Sequence, residues 1–224
     1  MSHFEIEIKS FLGAKENASA LKAKMQALDP NFKHTSSNKQ LNHYFKDGDL
    51  QKLYEKVEAL FVGEQHEKFK KIAERGTNFS VRTRQRDAEV LLVVKASLDE
   101  GTSENTVKRM EFEEPVKVTL EELDELVLDA GFTYQAKWSR EREEFEYKNA
   151  NVCFDKNAGY GYLAEFERIV TDEAEVDAVK ADLEELMSEL GVVELGQDRL
   201  ARMFAHYNEN WPDYYGTDKT FIIE

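Results

Sequence analysis

A period of two in apolar and polar residues recurs along the chain and predicts most of its strands. Residues 5–9 read Glu-Ile-Glu-Ile-Lys, so in an extended segment the isoleucines face one way and the charged side chains face the other. After Gly76 the alternation returns in FSVRTRQR. The predicted strands are residues 4–11, 33–46, 79–86, 88–96, 106–116, 132–147, 151–156 and 160–170.

Apolar residues at helical spacing fill the longer connections between these strands. The predicted helices are 14–28, 49–75 (one broken helix or two short ones), 119–131, 172–191 and about 198–206. Two of them open on predicted capping boxes, Thr119 with Glu122 and Asp172 with Glu175. An aromatic tail, HYNENWPDYYG, is expected to follow the last helix.

About eight strands, mostly joined by short turns, predict an antiparallel α+β fold with helices at the crossovers. Roughly eight strands are enough to close a barrel around a small ligand. No internal repeat or low-complexity linker marks a second domain, so residues 1–224 are predicted to form one domain. Its two elaborations are a helical insertion at about 49–75 and a C-terminal helix plus tail at about 198–224.

Charged side chains share one face of several predicted strands. The basic ones are Lys9, Arg82, Arg84, Lys95, Arg109, Arg140 and Arg142, and the acidic ones are Glu5, Glu7, Glu111, Glu113, Asp155, Glu165 and Glu167. Such alternation is most often the solvated face of an antiparallel sheet. Here the charges are sorted by strand, and the opposite faces carry the β-branched and aromatic residues that helices would cover. If the sheet closes, the charged face is its interior.

An interior with this many charges is costly unless it is filled, because burying an unpaired charge costs several kcal/mol per ion. A polyanion with a divalent cation would fill it. Arginine forks suit phosphate oxygens, and clustered carboxylates suit Mg²⁺ or Mn²⁺. The first strand is therefore predicted to supply metal ligands and a phosphate-binding lysine.

Composition narrows the class of partner. The chain of 224 residues has a net charge of −15 and a pI near 4.9, so its average field repels nucleic acid and anionic membranes. Cys153 is the only cysteine, no run of 18 apolar residues occurs, and no P-loop motif is present. These features predict a soluble cytoplasmic protein, and whether it is a monomer or homodimer stays open.

Taken in order, EIEIK, VRTR, VVK, RMEFE, SREREEF and a late D…EFE resemble the CYTH family of triphosphate tunnel metalloenzymes. That family includes class IV adenylyl cyclases, thiamine triphosphatases and inorganic triphosphatases. The resemblance runs from about residue 4 to residue 170. It implies an eight-stranded antiparallel closed β-barrel, the triphosphate tunnel, with peripheral helices.

The resemblance also implies roles for the charged residues. The implied catalytic residues are Glu5, Glu7, Asp155, Glu165 and Glu167; the implied metal ligands are Glu5, Glu7, Glu165 and Glu167, with Asp155, Glu111 and Glu113 as further candidates. The implied triphosphate-binding residues are Lys9, Arg82, Arg84, Lys95, Arg109, Arg140 and Arg142. The family often has lysine where Arg140 stands, and Lys137 lies three residues earlier, so this assignment stays open.

The leading expectation is a Mg²⁺- or Mn²⁺-dependent hydrolase of inorganic triphosphate or of an organic or nucleoside triphosphate. One alternative is a class IV adenylyl cyclase that converts ATP to cyclic AMP and pyrophosphate. A second alternative is a non-catalytic module that binds polyphosphate or nucleotides.

Overall fold

The computed structural model describes residues 4–98 and 108–224, except for the side chains of Phe4, Leu98, Lys108, Arg109 and Glu173. The strands are β1 (Phe4–Gly13), β2 (Lys33–Lys46), β3 (Gly76–Arg86), β4 (Glu89–Leu98), β5 (Lys108–Val116), β6 (Thr133–Tyr147), β7 (Ala150–Asn157) and β8 (Gly161–Val170). The helices are α1 (Lys15–Leu28), α2 (Leu50–Val57), α3 (Glu64–Arg75), α4 (Leu120–Asp129), α5 (Val176–Leu190) and α6 (Gln197–Tyr214). None of these helices is long and apolar enough to cross a membrane.

The eight strands form one antiparallel sheet in the order β1-β8-β7-β6-β2-β3-β4-β5. The predicted α+β class and the eight antiparallel strands are confirmed. Strands β1 and β5 are the ends of this order, and within residues 4–98 and 108–224 no backbone hydrogen bonds close the sheet between them.

Contacts divide the chain into two compact units. The first comprises Met1–Lys39 with Ser139–Glu224, and the second comprises Gln40–Trp138. The prediction of a single domain over residues 1–224 stays a prediction.

The core of the first unit lies between its strands and helices α1 and α5. Ile6 and Ile8 of β1 point into it, as the alternation in EIEIK predicts. Its other fully buried members include Met25, Tyr147, Val152, Phe154, Ala164, Phe166 and Leu183. Since neighbouring residues of a strand face opposite ways, the charged residues of β1 lie on the other face of the sheet.

The core of the second unit lies between its strands and helices α2, α3 and α4. Val81, Leu92, Val94 and Phe112 face Leu53, Val57, Phe69, Ile72 and Leu123 there. Two short helices occupy the predicted insertion at 49–75, and their apolar residues pack in this core. Val81 and Thr83 are buried on the core side of β3. Arg82 and Arg84 consequently lie on the opposite face.

The capping-box predictions had different outcomes. Thr119 and Glu122 form the predicted box at the start of α4. The predicted box of Asp172 and Glu175 was wrong, because Asp172 bonds the backbone N–H of Ala174 and a 3₁₀ turn precedes α5.

The short helix predicted at 198–206 was also wrong in extent, because α6 continues to Tyr214. Met203 and Tyr207 are buried one turn apart, so the aromatic segment continues the apolar face of the helix. Pro212 lies in the last turn, and because it has no N–H, α6 lacks the hydrogen bond that this residue would donate four residues back.

Candidate functional site

One group of charged side chains, here called the carboxylate cluster, lies on a single face of β1, β8, β7 and β6 in the first unit. Its members are Glu5, Glu7, Lys9, Arg140, Arg142, Asp155, Glu165 and Glu167. The register places Glu7 opposite Glu167, Lys9 opposite Glu165, and Arg142 opposite Asp155. Directly opposed residues of an antiparallel pair share a face, so alternation and register together assemble the cluster.

Asp155 is a buried carboxylate that contacts both arginines of this cluster. Its carboxylate is 1% exposed and accepts two bonds from Arg142, Nε to Oδ1 at 2.7 Å and Nη2 to Oδ2 at 2.6 Å. Arg140 Nη1 donates to Oδ2 at 2.9 Å. Burial alone would lower the pKa of Arg142, but hydrogen bonding to Asp155 and the charges of Asp155 and Glu165 hold this pKa above its ordinary value. Asp155 therefore fixes both guanidinium groups.

Lys9 and Arg142 neutralise two of the other carboxylates. Lys9 Nζ contacts Glu7 and lies 3.3 Å from Glu165 Oε1, and Arg142 Nη2 donates to the second oxygen of Glu165. Burial would raise the pKa of Glu165, but the charges of Arg142, Lys9 and Arg140 hold it below its ordinary value. Glu165 is consequently ionised and firmly partnered.

The pKa of Glu167 is shifted in the opposite direction from that of Glu165. Burial and the nearby charge of Glu5 raise its pKa, although a hydrogen bond from Asn151 works against this. Within the described ranges, neither Glu5 nor Glu167 forms an ion pair with a basic side chain. These two carboxylates would gain most from a bound cation.

A second group, here called the arginine cluster, lies on one face of β3–β5 in the second unit and comprises Arg82, Arg84, Lys95, Glu111 and Glu113. Arg84 is 8% exposed; its Nε donates to Asn42 Oδ1 and its Nη1 to Glu113 Oε1, both at 2.8 Å. Lys95 Nζ lies 3.0 Å from Glu111 Oε1. Glu111 and Glu113 therefore balance basic residues of their own face.

Among the described residues, Arg82 forms no ion pair with a carboxylate. Its Nη1 donates to the Tyr44 hydroxyl at 2.9 Å, and its guanidinium carbon lies 5.1 Å from the centre of the Tyr44 ring. Its Nε is buried and bonds to no atom in the part of the chain that the structure describes. Arg82 thus offers an uncompensated positive charge and a donor to an anion.

Arg109 stands opposite Ser97 in β5, and its side chain lies outside the described residues. Arg140 lies in the carboxylate cluster, whereas Lys137 lies 3.8 Å from Asp124 Oδ2 in the second unit. The assignment of Arg140 to the triphosphate stays a prediction.

Asn42 and Tyr44 are site residues that the sequence reasoning missed. They stand directly opposite Arg84 and Arg82, and each accepts a hydrogen bond from the arginine that it faces. Their common parity within β2 was a usable signal, but only the register shows which arginine each one meets.

The carboxylates fit a hard divalent cation in donor type. Mg²⁺ and Mn²⁺ prefer oxygen ligands, and the cluster offers carboxylate oxygens from three neighbouring strands. Residues 4–98 and 108–224 contain no group of three or more His, Cys, Asp or Glu side chains already arranged to hold a metal ion. Glu7 and Glu165 would have to exchange their basic partners for the ion.

Cys153 lies on the same face, opposite Glu144 and Glu165. Its side chain is 2% exposed, and burial raises the pKa of its thiol to about 12. A protonated, buried thiol is a poor nucleophile, so Cys153 contributes packing.

Comparison with known proteins identifies related sequences and folds. The sequence profile of the CYTH domain matches residues 64–199, more than half of the chain. No curated protein matches the sequence significantly.

Three solved structures with a similar fold are proteins of Pyrococcus horikoshii OT3 and Vibrio parahaemolyticus. The PH1012 protein of Pyrococcus horikoshii OT3 has 19% identity and a TM-score of 0.56, with 85% of this chain and 92% of that chain covered. The PH1819 protein of the same organism has 21% identity and a TM-score of 0.56, with 87% and 94% covered. A candidate adenylate cyclase from Vibrio parahaemolyticus has 12% identity and a TM-score of 0.56, with 90% and 99% covered. At these identities the likeness is one of fold.

Proposed function

Since this chain belongs to the CYTH domain family, we propose that it is a divalent-metal-dependent hydrolase of a triphosphate. Members of the family are triphosphatases or adenylyl cyclases and bind small triphosphate substrates. Inorganic triphosphate and an organic or nucleoside triphosphate are both candidate substrates.

The pair of carboxylates Glu5 and Glu167 carries this proposal. Burial and the charge of Glu5 raise the pKa of Glu167, and in the described ranges no basic side chain neutralises either residue. Holding like charges together costs stability, and a divalent cation that carries the substrate would remove this cost. We assign this ion to Glu5, Glu7, Glu165 and Glu167 and keep Asp155, Glu111 and Glu113 as further candidates.

The basic side chains are assigned to the phosphate chain. Those of the carboxylate cluster are Lys9, Arg140 and Arg142, those of the arginine cluster are Arg82, Arg84 and Lys95, and Arg109 of β5 is kept as a further candidate. Arg82 can take an anion without giving up a carboxylate. When the substrate binds, Arg84, Arg142 and Lys95 would each exchange a carboxylate oxygen for a phosphate oxygen. Each cationic side chain would therefore keep an anionic partner.

During hydrolysis these positively charged side chains stabilise the negative charge that develops on the leaving phosphate. Asp155 keeps the Arg140 and Arg142 guanidiniums oriented, so little reorganisation is needed when charge develops. When Mg²⁺ or Mn²⁺ is bound, it supplies Lewis-acid polarisation and a more acidic water. Glu167 is assigned to hold this ion and not to accept a proton, because a bound cation would offset the charge of Glu5 that helps to raise its pKa.

The test compares wild type with Glu167→Gln and with Glu185→Gln, an exposed position of α5. Orthophosphate and cyclic AMP are measured in parallel from inorganic triphosphate, ATP and thiamine triphosphate, each with Mg²⁺ or Mn²⁺. Glu167→Gln should raise the metal concentration for half-maximal activity by at least about 10-fold, the lower end of what losing even an outer-shell partner costs. Glu185→Gln should behave as wild type.

Other products would decide against hydrolysis. Cyclic AMP and pyrophosphate from ATP would mean a class IV adenylyl cyclase. Triphosphate binding that persists in EDTA, without turnover, would mean a binding module. The cytoplasmic location and the monomeric or homodimeric state stay predictions.

A further inference from the structure

A buried carboxylate lies behind the arginine cluster, on the core side of the same strands. Asp124 of α4 is 4% exposed. It accepts a hydrogen bond from the Thr83 hydroxyl at 2.5 Å and one from the Tyr134 hydroxyl at 2.7 Å. His43 Nδ1 lies 2.6 Å from Oδ2 of the same carboxylate. Lys137 Nζ adds a positive charge 3.8 Å away, so four side chains converge on this carboxylate.

The protonation state of this network follows from its donors. Burial would raise the pKa of Asp124, but hydrogen bonds from His43, Thr83 and Tyr134 hold it below its ordinary value. An ionised Asp124 can only accept hydrogen bonds, so His43 Nδ1 carries the proton and donates. Three donors to one buried carboxylate fix its position and the positions of the donors.

His43 and Thr83 are direct cross-strand partners in β2 and β3. The next row on one side pairs Asn42 with Arg84, and the next row on the other side pairs Tyr44 with Arg82. Because side chains alternate, the row of His43 and Thr83 faces α4, while both flanking rows face the arginine cluster. One carboxylate therefore binds both strands at the row between the two arginines.

The same rows connect the network to the guanidinium groups. Asn42 and Tyr44 of β2 accept hydrogen bonds from Arg84 and Arg82 of β3. A shift of β2 along β3 would separate each arginine from its acceptor, and a slip of one residue would turn every side chain of β2 to the other face. The position of both arginines thus depends on the row that Asp124 holds.

We propose that Asp124 is a positioning residue, which acts through His43 and Thr83 to hold Arg82 and Arg84 in their triphosphate-binding geometry. This inference rests on the proposed function, because it assumes that these arginines bind phosphate. Asp124 touches neither arginine, and its effect on the substrate is therefore indirect.

The primary measurement is the affinity for inorganic triphosphate with Mg²⁺, determined by calorimetry on the full chain under conditions where each variant is folded. Asp124→Asn keeps the size of the side chain but leaves one acceptor oxygen and introduces an amide N–H₂. We expect affinity to fall about 10- to 100-fold, as for loss of an outer partner in a binding site. Leu123→Ala is the matched control, since Leu123 is buried on the same helix and bonds to neither strand. It should weaken folding and leave affinity as in wild type.

Thr83 provides a second, milder pair of variants. Thr83→Val removes the hydroxyl that donates to Asp124 and keeps the shape, whereas Thr83→Ser keeps the hydroxyl. Thr83→Val should lower the affinity for triphosphate, as Asp124→Asn does. Thr83→Ser should keep most of the wild-type affinity. A role in stability alone would not produce this difference in the folded protein.

A double-mutant cycle tests the route of the effect. If Asp124 acts through the arginines, Asp124→Asn should reduce affinity much less in an Arg84→Ala background than in wild type. Additive losses, or wild-type affinity in Asp124→Asn, would overturn the positioning role while the proposed function stands. Wild-type protein that neither binds nor hydrolyses a triphosphate would overturn both.

Discussion

At the scale of single residues, Glu167 is a carboxyl whose position opposes folding. Its pKa is raised by burial and by Glu5, so the folded chain holds this proton more tightly than the unfolded chain does. As pH rises above the unfolded-state value of about 4.3, ionisation of Glu167 lowers the free energy of unfolding. We expect Glu167→Gln, in EDTA, to raise the thermal midpoint at pH 7. The gain should disappear at about pH 3.5, below the unfolded-state pKa.

The same substitution thus separates function from stability. Activity should fall while the metal-free protein becomes more stable, as is common where a binding site keeps destabilising charges. Thermal melts of Glu185→Gln, whose side chain is exposed, provide the reference and should match wild type. A midpoint for Glu167→Gln at or below that of wild type at pH 7 would show that Glu167 is not under charge repulsion.

At the scale of elements, the segment after α6 returns along the first unit and packs on this helix. Phe221 N–H donates to the Gly159 carbonyl, and the Phe221 ring lies 4.5 Å from the ring of His206 and 5.2 Å from that of Tyr214. Arg199 and Arg202 donate to the backbone carbonyls of residues 223 and 224. The basic residues of α6 thus hold this segment in place.

We expect Phe221→Ala to lower the free energy of unfolding by about 1–3 kcal/mol, less than the cost of deleting a fully buried Phe. The neighbouring Ile222 is 77% exposed, so Ile222→Ala should change stability by less than about 0.5 kcal/mol. Urea unfolding of the two variants measures the difference. Equal effects would mean that the ring contacts of Phe221 contribute no stability.

The elements also show how far sequence reasoning reaches. Alternation in EIEIK and FSVRTRQR predicted which residues share a face, because the period of a strand is fixed by its geometry. The length of α6 was missed because the aromatic segment HYNENWPDYYG was interpreted as a tail, whereas burial of Tyr207 favours helix. Local preference is weak compared with tertiary burial.

The sequence predicted which charged residues lie at the candidate site, but not which side chains hydrogen-bond to them. Arg82 and Arg84 follow from the pattern, but their acceptors Tyr44 and Asn42 depend on the register of β2 against β3. The contacts of Asp124 could not be predicted from the sequence, because helix periodicity alone does not show which strand residues a buried carboxylate contacts.

At the scale of the whole molecule, a net charge of −15 coexists with a depressed carboxyl pKa in each unit. Asp124 is held ionised by hydrogen bonds in the second unit, and Glu165 by Arg142 and Lys9 in the first. A carboxyl with a lowered folded-state pKa stabilises the fold at any pH above its unfolded-state value of about 4. This contribution is lost as pH falls through the folded-state pKa.

Stability should therefore fall steeply below about pH 4, whereas protonation of Glu167 should raise it as pH falls from 7 towards about 4.3. Urea unfolding from pH 7 to pH 3, in EDTA, measures the curve. Asp124→Asn should be less stable than wild type at pH 7, and the difference should narrow in acid because wild-type Asp124 also becomes neutral there. A main loss of stability near pH 6.5 would instead indicate histidine protonation.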